Sequence, residues 1–230
     1  MEFDKSNKLQ AKKIKSNNYK IAKHWIPKTD IDIFLLKVSD NIDQINLSII
    51  PQEQKSGISK YHHSRDKRKR LLARSFLFTY CRDNFQLIDY EFSYNKYKKP
   101  FFKESDIQFS FSYSRDYVLI GISKRNSIGV DIEYKNKDSS FEDIAPMVMH
   151  EEELENFNGL LDVDRVDFFY DLWSKKEAYI KAIGKGLYYD LKKINITYTN
   201  VTIEDNIIKN SHKHFPLILN SKYSINYANK

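Results

Sequence analysis

Apolar and polar positions divide this chain into stretches of period two and stretches of helical period. Residues 31–38 are rich in Ile, Phe, Leu and Val and predict a strand. Residues 51–60 read as a turn leading into a helix. Over 66–80, Leu71, Leu72, Phe76 and Tyr80 recur at helical spacing, so the helix has an apolar face and a cationic start. Residues 107–112 alternate Ile-Gln-Phe-Ser-Phe-Ser, as a half-buried strand does. Two further strands are predicted at 117–123 and 128–133, with Ser114-Arg115-Asp116 as a tight turn before the first of them. Connections this short favour antiparallel neighbours over helix-crossed parallel ones. Residues 144–157 predict one acidic helix. Residues 168–183 predict a strong helix stopped by Gly184 and Gly186. The tail, 194–227, alternates weakly and predicts two or three strands. Each half thus combines a helix with strands, an α+β plan, without a clear sequence repeat between the halves.

The first 22 residues break this pattern. They are polar and lysine-rich and predict a flexible basic extension. The chain's 230 residues suit one domain or two small subdomains sharing a core, and its 16 Tyr and 15 Phe can fill that core. A net charge of +7 suits a polyanionic partner, whether nucleic acid, membrane, acidic protein or polyphosphate cofactor, although a basic surface also serves solubility alone. The single cysteine, Cys81, excludes an internal disulfide and a multi-cysteine metal site, and fits a reducing cytoplasm. It lies in an apolar run and reads as a packed residue. No apolar stretch reaches the roughly 20 residues of a spanning helix, and the N-terminus lacks the apolar centre of a signal peptide. A cytoplasmic protein is expected, without a membrane partner.

Three groups of residues carry chemistry. In Gly129-Val-Asp131-Ile-Glu133, alternation puts both carboxylates on one strand face and Val130 and Ile132 on the other. The pair is either a solvated edge or a site for a hard cation that takes oxygen ligands. In the second group, Trp173, Glu177 and Lys181 are four apart and share a helix face. Glu177 is then a third carboxylate for such a cation and Lys181 a partner for a bound phosphate, or the two form an ordinary helix ion pair. The third group is the cation cluster Arg68, Lys69, Arg70 and Arg74 with Lys98 and Lys99, which suits several phosphates or is simply a solvated basic face. The six histidines show no helical metal-binding spacing.

Together, Gly129-Val-Asp131-Ile-Glu133 and, about forty residues on, Trp173-Ser-x-Lys176-Glu177-Ala-x-x-Lys181-x-x-Gly184-x-Gly186-Leu187 closely resemble the Sfp-type 4′-phosphopantetheinyl transferases. Upstream, Lys99-Pro100 resembles the family's Gly-Lys-Pro turn. Phe111-Ser-Tyr113-Ser114 resembles its Asn-x-Ser-His-Ser strand, and the helix ending Leu-Ala-Arg74 its first cofactor-binding helix. The resemblance implies a pseudo-twofold pair of α/β subdomains, here 23–125 and 126–230, with coenzyme A in the cleft between them. It implies that Asp131, Glu133 and Glu177 hold Mg²⁺, with Mn²⁺ as a substitute. It makes Glu177 and Lys181 the catalytic pair. It places Arg68, Lys69, Arg74, Lys99, Tyr113, Ser114, Lys176 and Lys181 around the cofactor. The implied partner is an acidic acyl or peptidyl carrier protein, not a nucleic acid, and a monomer suffices. Two departures stand out. Tyr113 replaces the family's histidine, and Lys98 replaces the glycine before Lys-Pro.

Two rival readings follow from the residues. Glu133-Tyr-Lys135 has the Glu-x-Lys spacing of metal-dependent nucleases, which would need Asp106 or Asp116 as a further ligand and would leave the 173–187 run unexplained. A basic, non-catalytic binding module would make the carboxylates structural.

Overall fold

A computed structural model describes residues 18–28, 30–88, 91–197, 200–203, 213–216 and 221–229. Of the expected extension, residues 1–17 lie outside these. From Tyr19 onward the described chain is held to the body of the protein. The Tyr19 hydroxyl lies 2.6 Å from Ser75 Oγ, and its ring meets Phe76 edge-on at 5.2 Å. Lys20 N donates to Asn41 Oδ1 at 2.7 Å. An aromatic ring with apolar surface to bury and a buried hydroxyl partner anchors the chain here.

The N-terminal half begins with β1 (Ile21–Lys28) and β2 (Ile31–Lys37), followed by α1 (Gln52–Ser59) and α2 (Ser64–Phe85). A short hairpin, β3 (Phe92–Tyr94) and β4 (Pro100–Phe102), leads to β5 (Gln108–Ser114) and β6 (Tyr117–Ser123). The main sheet has the order β1-β2-β6-β5 and is antiparallel throughout. The predicted tight turn joins β5 to β6, with Ser114 opposite Tyr117 and Arg115 at φ 50°. The apolar stripe of α2, including Leu72, Phe76 and Tyr80, buries against this sheet.

The C-terminal half starts with β7 (Ile128–Tyr134). The single acidic helix expected over 144–157 is two helices, α3 (Phe141–Val148) and α4 (Glu151–Asn158). The break is local chemistry. His150 takes an extended conformation, its ring accepts from Glu152 N, and Glu153 Oε2 accepts from His150 N at 2.8 Å, a reciprocal cap that starts a new helix. Next come α5 (Asp162–Ile183), which starts six residues before the expected position, β8 (Ile194–Thr197), β9 (Asn200–Ile203), β10 (Lys213–Pro216) and β11 (Tyr223–Asn229). The tail therefore holds four short strands among the described residues. Strands β10, β11 and β7 form an antiparallel sheet, and α5 packs on β7 and β11.

Two kinds of contact join the halves. Ile31, Ile33 and Leu35 of β2 form an apolar cluster with Ile128, Val130 and Ile132 of β7 and with Ile225 and Tyr227 of β11. Beside it, β5 serines stitch onto β7. Ser110 Oγ accepts from Val130 N at 3.2 Å and Ser114 Oγ from Tyr134 N at 2.9 Å, while Ser112 Oγ donates to Asp131 Oδ1 at 2.8 Å. Buried backbone donors must find acceptors, and short side-chain hydroxyls supply them here. The result is an α+β fold of mostly antiparallel strands with a long helix in each half. Among the described residues, no helix is long and apolar enough to cross a membrane.

Candidate active site

Strand period and helix period converge where β7 meets α5. With Val130 and Ile132 committed to the inter-half cluster, Asp131 and Glu133 point to the opposite face, toward α5. The approach is close because residue 129 is glycine. A Cβ there would lie 1.9 Å from Ala178 O and 2.4 Å from Ala182 N, both backbone atoms of α5. Asp131 is 2 % exposed. Its Oδ1 accepts from Lys181 Nζ at 2.6 Å and from Ser112 Oγ at 2.8 Å, and Lys181 Nζ also reaches Ser112 Oγ at 3.2 Å. Asp131 Oδ2 is buried with no hydrogen-bond partner. Trp173 Nε1 donates to Glu133 Oε1 at 3.2 Å.

The electrostatics follow from this crowding. Burial, then the Asp131 charge, raises the Glu133 pKa to about 7, against the pull of Lys181 and the Trp173 N–H. Burial also raises Glu177, opposed by Lys181 and reinforced by Asp131. Burial alone would lower Lys181, but the charges of Asp131 and Glu177 and the hydrogen bond to Asp131 outweigh it, and its pKa is raised. Burial thus outweighs the one ammonium, Lys181, that both carboxylates share. Among the described residues, no group of three His, Cys, Asp or Glu side chains is placed close enough to hold a metal ion. The donor set nevertheless fits a hard divalent cation: carboxylate oxygens only, one of them buried and unpartnered, with like-charge repulsion that a cation would relieve.

Lys181 also lines a cavity of about 660 Å³ whose walls include α1, the C-terminal part of α5, β5 and the turn before Pro100. That volume suits a drug- or cofactor-sized ligand. Two arginines of α2 line it, each layered on aromatic rings. The Arg70 guanidinium lies 3.8 Å from the Tyr61 ring centre and 5.0 Å from that of Tyr113. Arg74 lies 4.3 Å from the Phe111 ring centre, donates from Nε to Gln54 Oε1 at 3.2 Å, and keeps Nη1 buried without a partner. Such stacking holds a guanidinium rigidly. Burial raises the Tyr113 hydroxyl above its usual pKa, so it faces the cavity as a neutral group.

The structure sets Asp131 against Lys181, Glu133 against Trp173 and Glu177 one turn before Lys181 on α5, places Arg74, Tyr113 and Lys99 on the cavity wall, and turns four other residues of the predicted site elsewhere. Arg68 is exposed and off the cavity. Lys69 pairs with Asp66 at 2.9 Å beside a separate depression containing His63 and Arg115. One helical step is about 100°, so only Arg70 and Arg74, four apart, share the cavity face. Ser114 serves as acceptor for Tyr134 N. Lys176 is 1 % exposed. Its Nζ meets Glu153 Oε2 at 2.5 Å, Val148 O at 2.8 Å and Leu191 O at 2.9 Å, on the far side of α5 from Lys181.

Sequence reasoning passed over Ser112, and it named Arg70 only within the cation cluster, although its spacing to Arg74 singles it out. Ser112 carried no signal beyond alternation. Lys98 adopts φ 65°, the left-handed conformation natural to glycine, so the turn before Pro100 is kept at a strain of about 1 kcal/mol. The Glu-x-Lys nuclease arrangement is not formed, because Lys135 Nζ binds Asp167 Oδ1 at 3.0 Å.

Comparison with known proteins points one way. The family model described as the 4′-phosphopantetheinyl transferase superfamily matches residues 127–228, which include β7 and α5. The chain is 32% identical over 164 residues to the 4′-phosphopantetheinyl transferase gsp of Aneurinibacillus migulanus, covering 69% of this chain and 68% of that protein. It is 31% identical over 153 residues to the 4′-phosphopantetheinyl transferase Sfp of Bacillus subtilis (strain 168), covering 65% and 67%. It is 33% identical over 113 residues to the 4′-phosphopantetheinyl transferase HetI of Nostoc sp., covering 47% of each chain.

Proposed function

The chain belongs to the 4′-phosphopantetheinyl transferase superfamily, and from that premise we propose that it moves the 4′-phosphopantetheine group of coenzyme A onto a serine of an apo acyl or peptidyl carrier protein. The observation that carries this reading is the contact of Asp131 and Ser112 with Lys181, which itself lines a cofactor-sized cavity.

In this reading the serine hydroxyl attacks the phosphorus that bears pantetheine. The bond from that phosphorus to the bridging oxygen breaks, and adenosine 3′,5′-bisphosphate leaves. Glu177, whose proton affinity burial raises, takes the serine proton. Lys181 donates to the oxygen on which negative charge develops. Ser112 and Asp131 hold that ammonium in place. A divalent cation, Mg²⁺ with Mn²⁺ as a substitute, bound by Asp131, Glu133 and Glu177, would neutralise the pyrophosphate and stabilise the leaving charge.

Arg70 and Arg74 supply fixed positive charge for the nucleotide phosphates. Tyr113, standing where the family has histidine, contributes a neutral hydroxyl, so Arg70, layered between Tyr61 and Tyr113, carries the discrimination between phosphorylated and dephosphorylated cofactor. The net charge of +7 favours an acidic carrier, whose encounter a basic surface accelerates. We take the protein to act in the cytoplasm as a monomer, with neither nucleic acid nor membrane as partner.

Chromatography of the nucleotide products tests the chemistry. One adenosine 3′,5′-bisphosphate released per carrier modified is the expected result. Nucleotide released without carrier, or none released in the presence of several apo carriers, would contradict it.

A further inference from the structure

The side chain of Lys99 reaches past the cavity it was expected to serve. Its Nζ donates to Ala182 O at 3.1 Å and to Ile128 O at 3.2 Å. The first carbonyl lies in the last turn of α5, where helix carbonyls lack intrahelical partners and attract cations. The second belongs to the first residue of β7. Lys99 forms no carboxylate ion pair among the described residues, and burial alone pulls its pKa down to about 8. An amine offered to solvent phosphate would show neither feature.

The turn that carries Lys99 is tied to the same place by a second side chain. Asn95 Oδ1 accepts from Tyr97 N and Lys99 N, each at 2.9 Å, and its Nδ2 donates to Gly184 O at 2.8 Å. Gly184 takes φ 70° to end α5. A Cβ there would stand 3.0 Å from Asn95 Nδ2 and 3.1 Å from Lys99 Cδ. Ser127 Oγ joins them by donating to Ala182 O. Tyr97, Lys98, Lys99 and Pro100 of the turn all line the cavity, while Lys99 Nζ is spent on the two carbonyls. The turn thereby grips the end of the helix that carries Glu177 and Lys181 and the start of the strand that carries Asp131 and Glu133.

We infer that Lys99 is a positioning residue that ties the cavity wall to α5 and β7 and so fixes the two catalytic elements relative to each other, rather than a ligand of the cofactor phosphates. The inference rests on the proposed transferase reading for its link to turnover, but the tie itself exists in the free protein. Asn95 shares the same anchorage and carries no charge. The two residues should therefore behave alike, whereas a phosphate-binding role would separate them.

The test uses the full chain with Lys99→Met, Asn95→Ala and the double variant. In the free protein, hydrogen exchange at amides 127–130 and 180–185 should accelerate in both single variants. With coenzyme A and an apo carrier, each single variant should lower kcat about tenfold or more while the KM for coenzyme A stays within about threefold. The double variant should be little worse than either single one, because the two changes sever one tie. The inference is overturned if Lys99→Met leaves exchange at both segments unchanged, or if it raises the KM for coenzyme A about tenfold at constant kcat with Asn95→Ala close to wild type. If the wild-type protein fails to turn over, the transferase reading falls, and the exchange comparison still decides whether the tie exists.

Discussion

Lys181 Nζ lies 2.6 Å from Asp131 Oδ1, and this contact joins the helix and the strand that define the centre. Asp131 is 2 % exposed, so its charge is tolerable only because Lys181 and Ser112 answer one of its oxygens.

Replacing Asp131 by Asn keeps the shape and removes the charge that holds the ammonium. Transfer should fall by about 100-fold or more, the size seen when one preorganised electrostatic partner is lost. Near-ultraviolet circular dichroism should stay native. Retained turnover would place the chemistry elsewhere.

Glu133 gives a pH signature in the chelated protein. Its folded-state pKa is raised to about 7 from an ordinary 4.5, by burial first and Asp131 second. The native state therefore holds this proton more tightly than the unfolded chain. The stability it contributes is full below pH about 4.5 and is lost as pH rises through about 7. Urea unfolding in the presence of chelator should show declining stability across that window, and Glu133→Gln should flatten the decline. The same slope in both proteins would contradict the shift.

Gly129 sets the spacing between β7 and α5. Gly129→Ala would put a methyl 1.9 Å from Ala178 O, and two backbones must part to admit it. The cost should reach the upper end of overpacking, about 3 kcal/mol, read from the urea midpoint. A change below about 1 kcal/mol would mean that the two elements are free to separate.

Lys176 is predicted to matter for stability and not for cofactor. It is 1 % exposed and its partner Glu153 is 3 % exposed. Removing one member leaves the other buried and unpaired, which costs about 3–5 kcal/mol. Lys176→Met should lose that stability while the KM for coenzyme A measured on the folded fraction is unchanged. A raised KM with full stability would return Lys176 to the cavity.

Much of this was readable from local periodicity. Period two put Asp131 and Glu133 on one face, and four-residue spacing put Glu177 and Lys181 on one side of a helix, because both are short-range properties of the backbone. Adjacent helix residues diverge by about 100°, which separates Lys176 from Glu177. That Lys176 turns into the core was decided by Glu153, brought over from α4, which no local pattern announces. The fate of Ser114 and the placing of Ser112 likewise depend on where β7 lies against β5. The division of the acidic helix was legible, since Glu153 stands three residues after His150 in the spacing of a reciprocal cap. Within the cation cluster Arg68, Lys69, Arg70 and Arg74, the helical period joins Arg70 and Arg74 on one face, the two that line the cavity.

Intact-mass spectrometry of an apo carrier protein incubated with this protein, coenzyme A and Mg²⁺ tests the central claim most directly, run beside a chelator control and the Glu177→Gln variant. The carrier should gain the mass of one phosphopantetheine group with the wild-type protein and nothing in either control. A gain that survives both controls would contradict the roles given to the carboxylates, and no gain on any of several carriers would contradict the transferase reading itself.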